Sequence, residues 1–169
     1  MERFNQALNK FGKGVVKQSR ANLTRQKKNV DKTLYNSLDY KVQTAKSSFS
    51  IKFYMEDYGN FQDLGVKGTK SNYRENANSP YSYRSKRPPV KPLADWAKKR
   101  RIRLRDSKGK FKRGNYKSIG FLISRSIFEK GIRSSKFFTR AFETQYKRLP
   151  EELIEIYSLE LTDLLKFSR

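Results

Sequence analysis

The side chains able to do covalent or metal chemistry in this chain are few. It contains no His and no Cys, which removes imidazole general bases, thiolate nucleophiles and Cys/His zinc sites. Within the otherwise basic body, Glu56, Asp57 and Asp63 form the one acidic cluster, with Lys67 nearby. Together with Lys67 these carboxylates invite a Mg²⁺-nuclease reading, but their spacing fits no nuclease signature, and the surrounding Gly-rich context favours a turn whose carboxylates pair with local Lys and Arg. Ser85 and Lys86 are adjacent, and neighbours in sequence do not face each other in regular structure, so they form no nucleophile and base pair. Gly59, Gly65 and Gly68 lack the Gly-Lys-Ser/Thr ending of a phosphate loop. No catalytic residue, metal ligand or cofactor site is expected, and the chain is read as non-enzymatic.

Binding chemistry is better represented. Thirty-nine Lys and Arg face 16 Asp and Glu, a formal charge of +23, and self-repulsion on that scale opposes compactness unless an anionic partner lies nearby. The last 29 residues, 141–169, hold 4 basic and 6 acidic residues, so residues 1–140 carry 35 and 10, a net +25. Cations supply phosphate affinity and aromatic rings supply stacking. The stretch that best combines them is Tyr73, Arg74, Tyr81, Tyr83, Arg84, Lys86 and Arg87, followed by the run Lys98, Lys99, Arg100 and Arg101. Two partners suit these residues, an acidic neighbouring subunit or a nucleic acid, and the run 98–105 also suits a solvated helix end.

The elements that must position these residues follow from periodicity. Phe4, Leu8, Phe11, Val15 and Leu23 predict an N-terminal amphipathic helix. Gly12 and Gly14 each cost it on the order of 1 kcal/mol, so close backbone contact is expected there. Leu38, Tyr40 and Val42, then Phe49, Ile51 and Phe53, alternate with polar residues and predict a β-hairpin turning near 45–48. Residues 56–92 read as a long basic loop or arm ordered against a partner, and 105–117 as a second basic loop. Pro92 suits the start of a short helix with Leu93, Trp96 and Ala97 on one face. Ile119, Leu122, Ile123, Ser126 and Ile127 predict a longer helix stopped by Gly131. Ser134 or Ser135 is expected to cap the next, with Phe137, Phe138, Ala141 and Phe142 inward. Trp96 and these Phe are read as core and subunit contacts. Pro150, Glu151 and Glu152 open a final helix whose Leu153, Ile156, Leu161, Leu164 and Leu165 form an apolar, oligomer-contact face. The expected fold class is α+β, in one domain over 1–169: an N-terminal helix, a hairpin or small antiparallel sheet, long basic loops and three C-terminal helices. The segment Met1–Gln6 lacks an apolar signal core and no run approaches a membrane span, so a soluble chain made in the cytoplasm is expected.

Several motifs, in order, carry a resemblance: Tyr58-Gly59-x-Phe61-x-Asp63-x-Gly65-Val66-x-Gly68, then Pro92-Leu93-x-x-Trp96, Ile119-x-Phe121-x-Ile123-x-x-Ser126-Ile127, and Gly131-Ile132-x-x-Ser135-x-Phe137-Phe138. Together they resemble the small neck, head–tail joining or tail-completion proteins of tailed bacteriophages, closest to those of crAss-like and other Bacteroidetes phages. Thr33-Leu34 stands where the better-known relatives carry Thr-Gly before the hairpin, and the insertion at 69–116 is longer than theirs. The resemblance implies a structural virion protein forming a ring around the DNA path. Its implied partners are further copies of itself, portal, adaptor or tail proteins, and genomic DNA, with no membrane. The alternative expectation is a stand-alone basic nucleic-acid-binding protein.

Overall fold

The computed structural model describes residues 2–45, 48–149, 151 and 153. Helices and small antiparallel sheets are mixed, as the α+β expectation requires, and contacts divide the chain into two compact units: residues 1–56 with 136–169, and residues 57–135.

The first unit is built on α1 (Glu2–Arg25), with Leu8, Phe11, Val15 and Leu23 buried along the predicted stripe. A short helix, α2 (Thr33–Ser37), leads into β1 (Asp39–Ala45), which pairs antiparallel with β2 (Ser48–Tyr54). The register sets Tyr40 against Phe53 and Val42 against Ile51, so these four share the face laid on α1, while Lys41 and Lys52 share the outer one. Gly12 lets this happen: a Cβ there would lie 2.3 Å from the Tyr40 ring. The expected close approach at Gly12 is therefore the ring of a strand residue set on the helix.

Helix α6 (Thr139–Tyr146) closes this unit. Phe11 meets Phe53 and Phe142 edge to face, at centroid separations of 6.2 and 5.6 Å, and such pairs add attraction beyond the area they bury. Phe137 is fully buried beside Val16, Leu23, Leu34 and Leu38. Leu153 packs against the cluster of Leu8, Phe11, Val15 and Leu149 in its own chain. The other residues proposed for an oligomer-contact face, Ile156, Leu161, Leu164 and Leu165, lie outside the described residues.

The second unit replaces much of the expected arm at 56–92 with order. It runs through α3 (Tyr58–Leu64), β3 (Val66–Lys67), a 3-10 turn at Arg74–Asn76, α4 (Val90–Lys99), β4 (Leu104–Arg105), β5 (Phe111–Lys112), α5 (Tyr116–Lys130) and β6 (Gly131–Ile132). Helix α4 begins two residues before Pro92, with Pro89 at the N-cap. Pro92 still falls in the first turn, where its missing N–H costs nothing. Helices α4 and α5 pack at Gly120, where a Cβ would lie 2.7 Å from the Val90 carbonyl oxygen and 2.8 Å from the Ala94 nitrogen. This close approach shifts the covered side of α5 within the predicted face: Ile119 is buried and Ile123 and Ile127 are half-buried as expected, but Leu122 and Ser126 turn outward. Ile119, Gly120 and Ser124 are buried, whereas Leu122 and Phe121 are exposed. Trp96 departs from its expected core position as well: it is 38% exposed, with the Arg100 guanidinium over its ring, and Ala97 takes the buried place.

Gly131 stops α5 as expected, at φ +86° with its N–H on the Ile127 carbonyl, and the chain turns directly into β6. The expected caps of the following helix do something else. Ser134 Oγ donates to the Asp63 carbonyl at 2.7 Å and Ser135 Oγ to the Gln62 carbonyl at 2.6 Å, so both hydroxyls close the end of α3. Helix α6 starts after Phe138 with no side-chain cap. Among the described residues, no helix is long and apolar enough to cross a membrane.

Candidate nucleic-acid interface

A single buried side chain organises the basic loop of the second unit. Asn76, fully buried, donates through Nδ2 to the carbonyls of Val66 (3.0 Å) and Ile132 (2.7 Å) and accepts the Ser134 N–H at 2.8 Å. It thereby ties the 3-10 turn to both strands of the β3–β6 pair, in which Val66 faces Ile132. Ser79 adds a bond from its hydroxyl to the Gly65 carbonyl at 2.7 Å. Gly65 (φ +76°) has no room for a side chain, since a Cβ would lie 2.3 Å from Asn76 Oδ1.

The chain then returns along β3. Lys67 N–H donates to the Tyr81 carbonyl and Tyr83 N–H to the Lys67 carbonyl, at 3.0 and 2.9 Å. At the other edge, the amides of Lys70 and Ser71 reach the Glu129 carbonyl. The Glu129 carboxylate takes hydrogen bonds from Lys70 and Arg125, both 3.1 Å, and these hold its carboxyl below the usual range. Residues 65–83 are thus anchored along their length within their own unit.

This anchoring sorts the candidate contact residues. Tyr81 stands edge-on to Phe61 at 4.6 Å, and Tyr83 lies 6.1 Å from Phe128, with burial pushing its hydroxyl pKa up. Both rings are part of the packing. Tyr73, Arg74, Arg84, Lys86 and Arg87 remain exposed, Arg87 with its guanidinium 5.5 Å above the Phe128 ring. Glu75 bonds Arg133, and its carboxyl is held below the usual range by a backbone hydrogen bond and by that guanidinium. The loop therefore offers cations more than stacking platforms.

A denser basic surface follows it. From Lys98 to Lys117 there are 11 Lys and Arg and one acidic residue, and all 11 cations are exposed. Four of them, Lys98, Lys99, Arg100 and Arg101, occupy the end of α4 and the turn beyond it, where the helix dipole favours positive charge. The rest lie in or beside the β4–β5 hairpin, and all but Arg103 fall in the segment 105–117 expected to be a second loop. That hairpin turns on Asp106, whose Oδ1 accepts the N–H groups of Lys108 and Lys110, both at 2.9 Å, and on Gly109 at φ +78°. An Asp opening a turn that closes on a left-handed Gly is a standard three-residue hairpin. The lone carboxylate of this surface is thus engaged in shaping the turn.

Asp63 is buried in α3, and among the described residues no three carboxylates converge on a point that could hold an ion. Comparison of the chain with models of protein families, with curated proteins and with solved structures finds no match.

Proposed function

We propose that this chain is a non-enzymatic structural protein of a tailed bacteriophage, a subunit of the ring that surrounds the DNA path between head and tail. The observation that carries the reading is the exposed surface of 98–117, with 11 cations and one carboxylate already committed to a turn. A protein that displays such a surface needs a polyanion or an acidic neighbour beside it, and a ring threaded by DNA supplies both.

The neck assignment draws on the motifs that resemble head–tail joining proteins. Two of these motifs meet in the second unit: Gly65 and Val66 from the first lie against Ile132 from the last, through the β3–β6 pair and Asn76. The absence of His and Cys from the sequence is in keeping with a structural role.

Native mass spectrometry of the purified protein tests the reading. A closed ring gives one dominant species at a whole-number multiple of 20.0 kDa, because cyclic symmetry fixes the copy number. Incubated with Mg²⁺ and duplex DNA, that species leaves the DNA intact. A protein that stays monomeric at every concentration while binding DNA favours a stand-alone nucleic-acid-binding protein instead.

A further inference from the structure

On the β4–β5 hairpin the register places Arg105 opposite Phe111 and Leu104 opposite Lys112. Opposed residues share a face and successive ones alternate, so Arg103, Arg105, Phe111 and Arg113 belong to one side. Leu104 belongs to the other and is half-buried against Gly114, where a Cβ would lie 2.4 Å from its Cδ1. The hairpin is seated by Leu104 and turns its Arg and Phe face to solvent. On that face Phe111 is 62% exposed, and the guanidinium carbons of Arg103 and Arg105 stand 5.6 and 4.4 Å from its ring centroid.

Burial does not explain this arrangement, because a ring seeking a core would not sit on the solvent face between two cations. Like charges brought together repel, and the negative face of an aromatic ring offsets part of that repulsion. Phe111 thus holds two guanidinium groups at its ring on an exposed face; Arg105 also donates through Nη1 to the Gly109 carbonyl at 3.0 Å, and the remaining N–H donors suit phosphate oxygens spaced along a strand.

We infer that the Arg103–Arg105–Phe111–Arg113 face of the β4–β5 hairpin is a binding site for the phosphate backbone of nucleic acid. Its contacts are Arg103, Arg105 and Arg113, and Phe111 is a positioning residue for the first two. This names the surface by which the proposed subunit meets the DNA it surrounds, and so rests on that reading. An acidic protein surface is the competing ligand. It is disfavoured because planar guanidinium groups suit phosphate oxygens, and because the face offers no large apolar residue besides Phe111.

The test is equilibrium binding of a 30-base-pair duplex and a 30-nucleotide single strand, each of mixed sequence, across a salt series, with oligomeric state read by light scattering on the same samples. Three variants are compared: Arg103→Gln/Arg105→Gln/Arg113→Gln; the charge-retaining Lys triple at the same positions; and Lys13→Gln/Lys41→Gln/Lys52→Gln, which removes equal charge from exposed positions of the other unit. Losing three phosphate contacts lowers the slope of log K against log salt by about 2.7 on duplex, roughly a 500-fold loss near 0.1 M salt. The control triple changes affinity by a few fold at most, the Lys triple retains most of it, and Phe111→Ala loses several fold that Phe111→Tyr restores. A larger loss on duplex assigns the site to paired DNA, and one on the single strand to unpaired DNA. The inference is overturned if the Gln triple binds like the control triple, or if poly-glutamate binds as tightly as DNA and is lost in parallel. Because assembly is read separately, rings that ignore DNA sink the hairpin site and spare the neck reading, whereas monomers that bind through the hairpin do the reverse.

Discussion

Asn76→Ala should destabilise the unit of residues 57–135 by about 3–5 kcal/mol, seen as a lower urea midpoint for its unfolding and faster hydrogen exchange at Ser134. The substitution removes two donors and one acceptor at once, leaving the carbonyls of Val66 and Ile132 and the amide of Ser134 without the partner they have now. Each buried polar group left unmatched costs about 1–3 kcal/mol, and partial entry of water keeps the total below the simple sum. Gly65→Ala should produce a similar loss by another route, since its Cβ would collide with Asn76 Oδ1 and with the Ile132 carbonyl and occupy a left-handed conformation. Combining the two should cost less than their sum, because both disrupt one network. A loss under about 1 kcal/mol for Asn76→Ala would show that the loop is held some other way.

Phe137→Ala should cost the first unit about 3–5 kcal/mol, in the range measured for truncating a buried aromatic. Its ring has no exposed surface and touches the cluster of Val16, Leu23, Leu34 and Leu38, with Tyr40 and Phe53 beyond. The backbone around it is equally fixed: the Phe137 carbonyl accepts a bond from Asn22 Nδ2 at 2.9 Å, and Lys136 before it sits at φ +49°. The cavity therefore cannot collapse easily. Phe121→Ala offers the contrast, since Phe121 is 48% exposed on α5 and should change stability by about 0.5 kcal/mol or less. Thermal unfolding of the two variants side by side separates buried from displayed aromatics. Equal losses would mean that Phe121 is covered in solution, as in an assembled ring.

What was legible in the sequence is what has a short period. The stripe Phe4, Leu8, Phe11, Val15 forms α1 because helix neighbours recur every three or four residues, and Tyr40, Val42, Ile51 and Phe53 form one face of the hairpin because strand neighbours recur every two. The role of Gly131 as a helix stop was legible for the same local reason. Asn76 was not, because its partners lie 10, 56 and 58 residues away and nothing in its immediate sequence marks it as buried. On α5 the expected Ile119, Ile123 and Ile127 are covered, but Leu122 was misplaced for a related reason: it is the more apolar residue, yet Gly120 permits the closer approach of α4 and so shifts the covered side. Ser134 and Ser135 looked like caps, since hydroxyls suit helix starts, yet the carbonyls ending α3 took them.

The candidate contact residues show both cases. The cations Lys98, Lys99, Arg100 and Arg101 could be named from composition alone, and they are exposed. The tyrosines beside Arg74 and Arg84 looked like stacking groups, whereas Tyr81 and Tyr83 pack against Phe61 and Phe128. The β4–β5 hairpin was read as a loop because its two apolar residues, Leu104 and Phe111, fall on opposite faces and give no alternating signal. Its mark was the turn chemistry of Asp106 and Gly109, which sets the hairpin without help from a hydrophobic face.

Location in the particle tests the central claim most directly. Under the proposal, electron microscopy of tailed-phage virions carrying this chain, with an antibody against the protein, should place the label at the junction of head and tail. The copy number per particle, measured by quantitative mass spectrometry of the same virions, should equal the ring size found for the purified protein. Virions lacking the protein, or label spread over the capsid shell, would contradict the account.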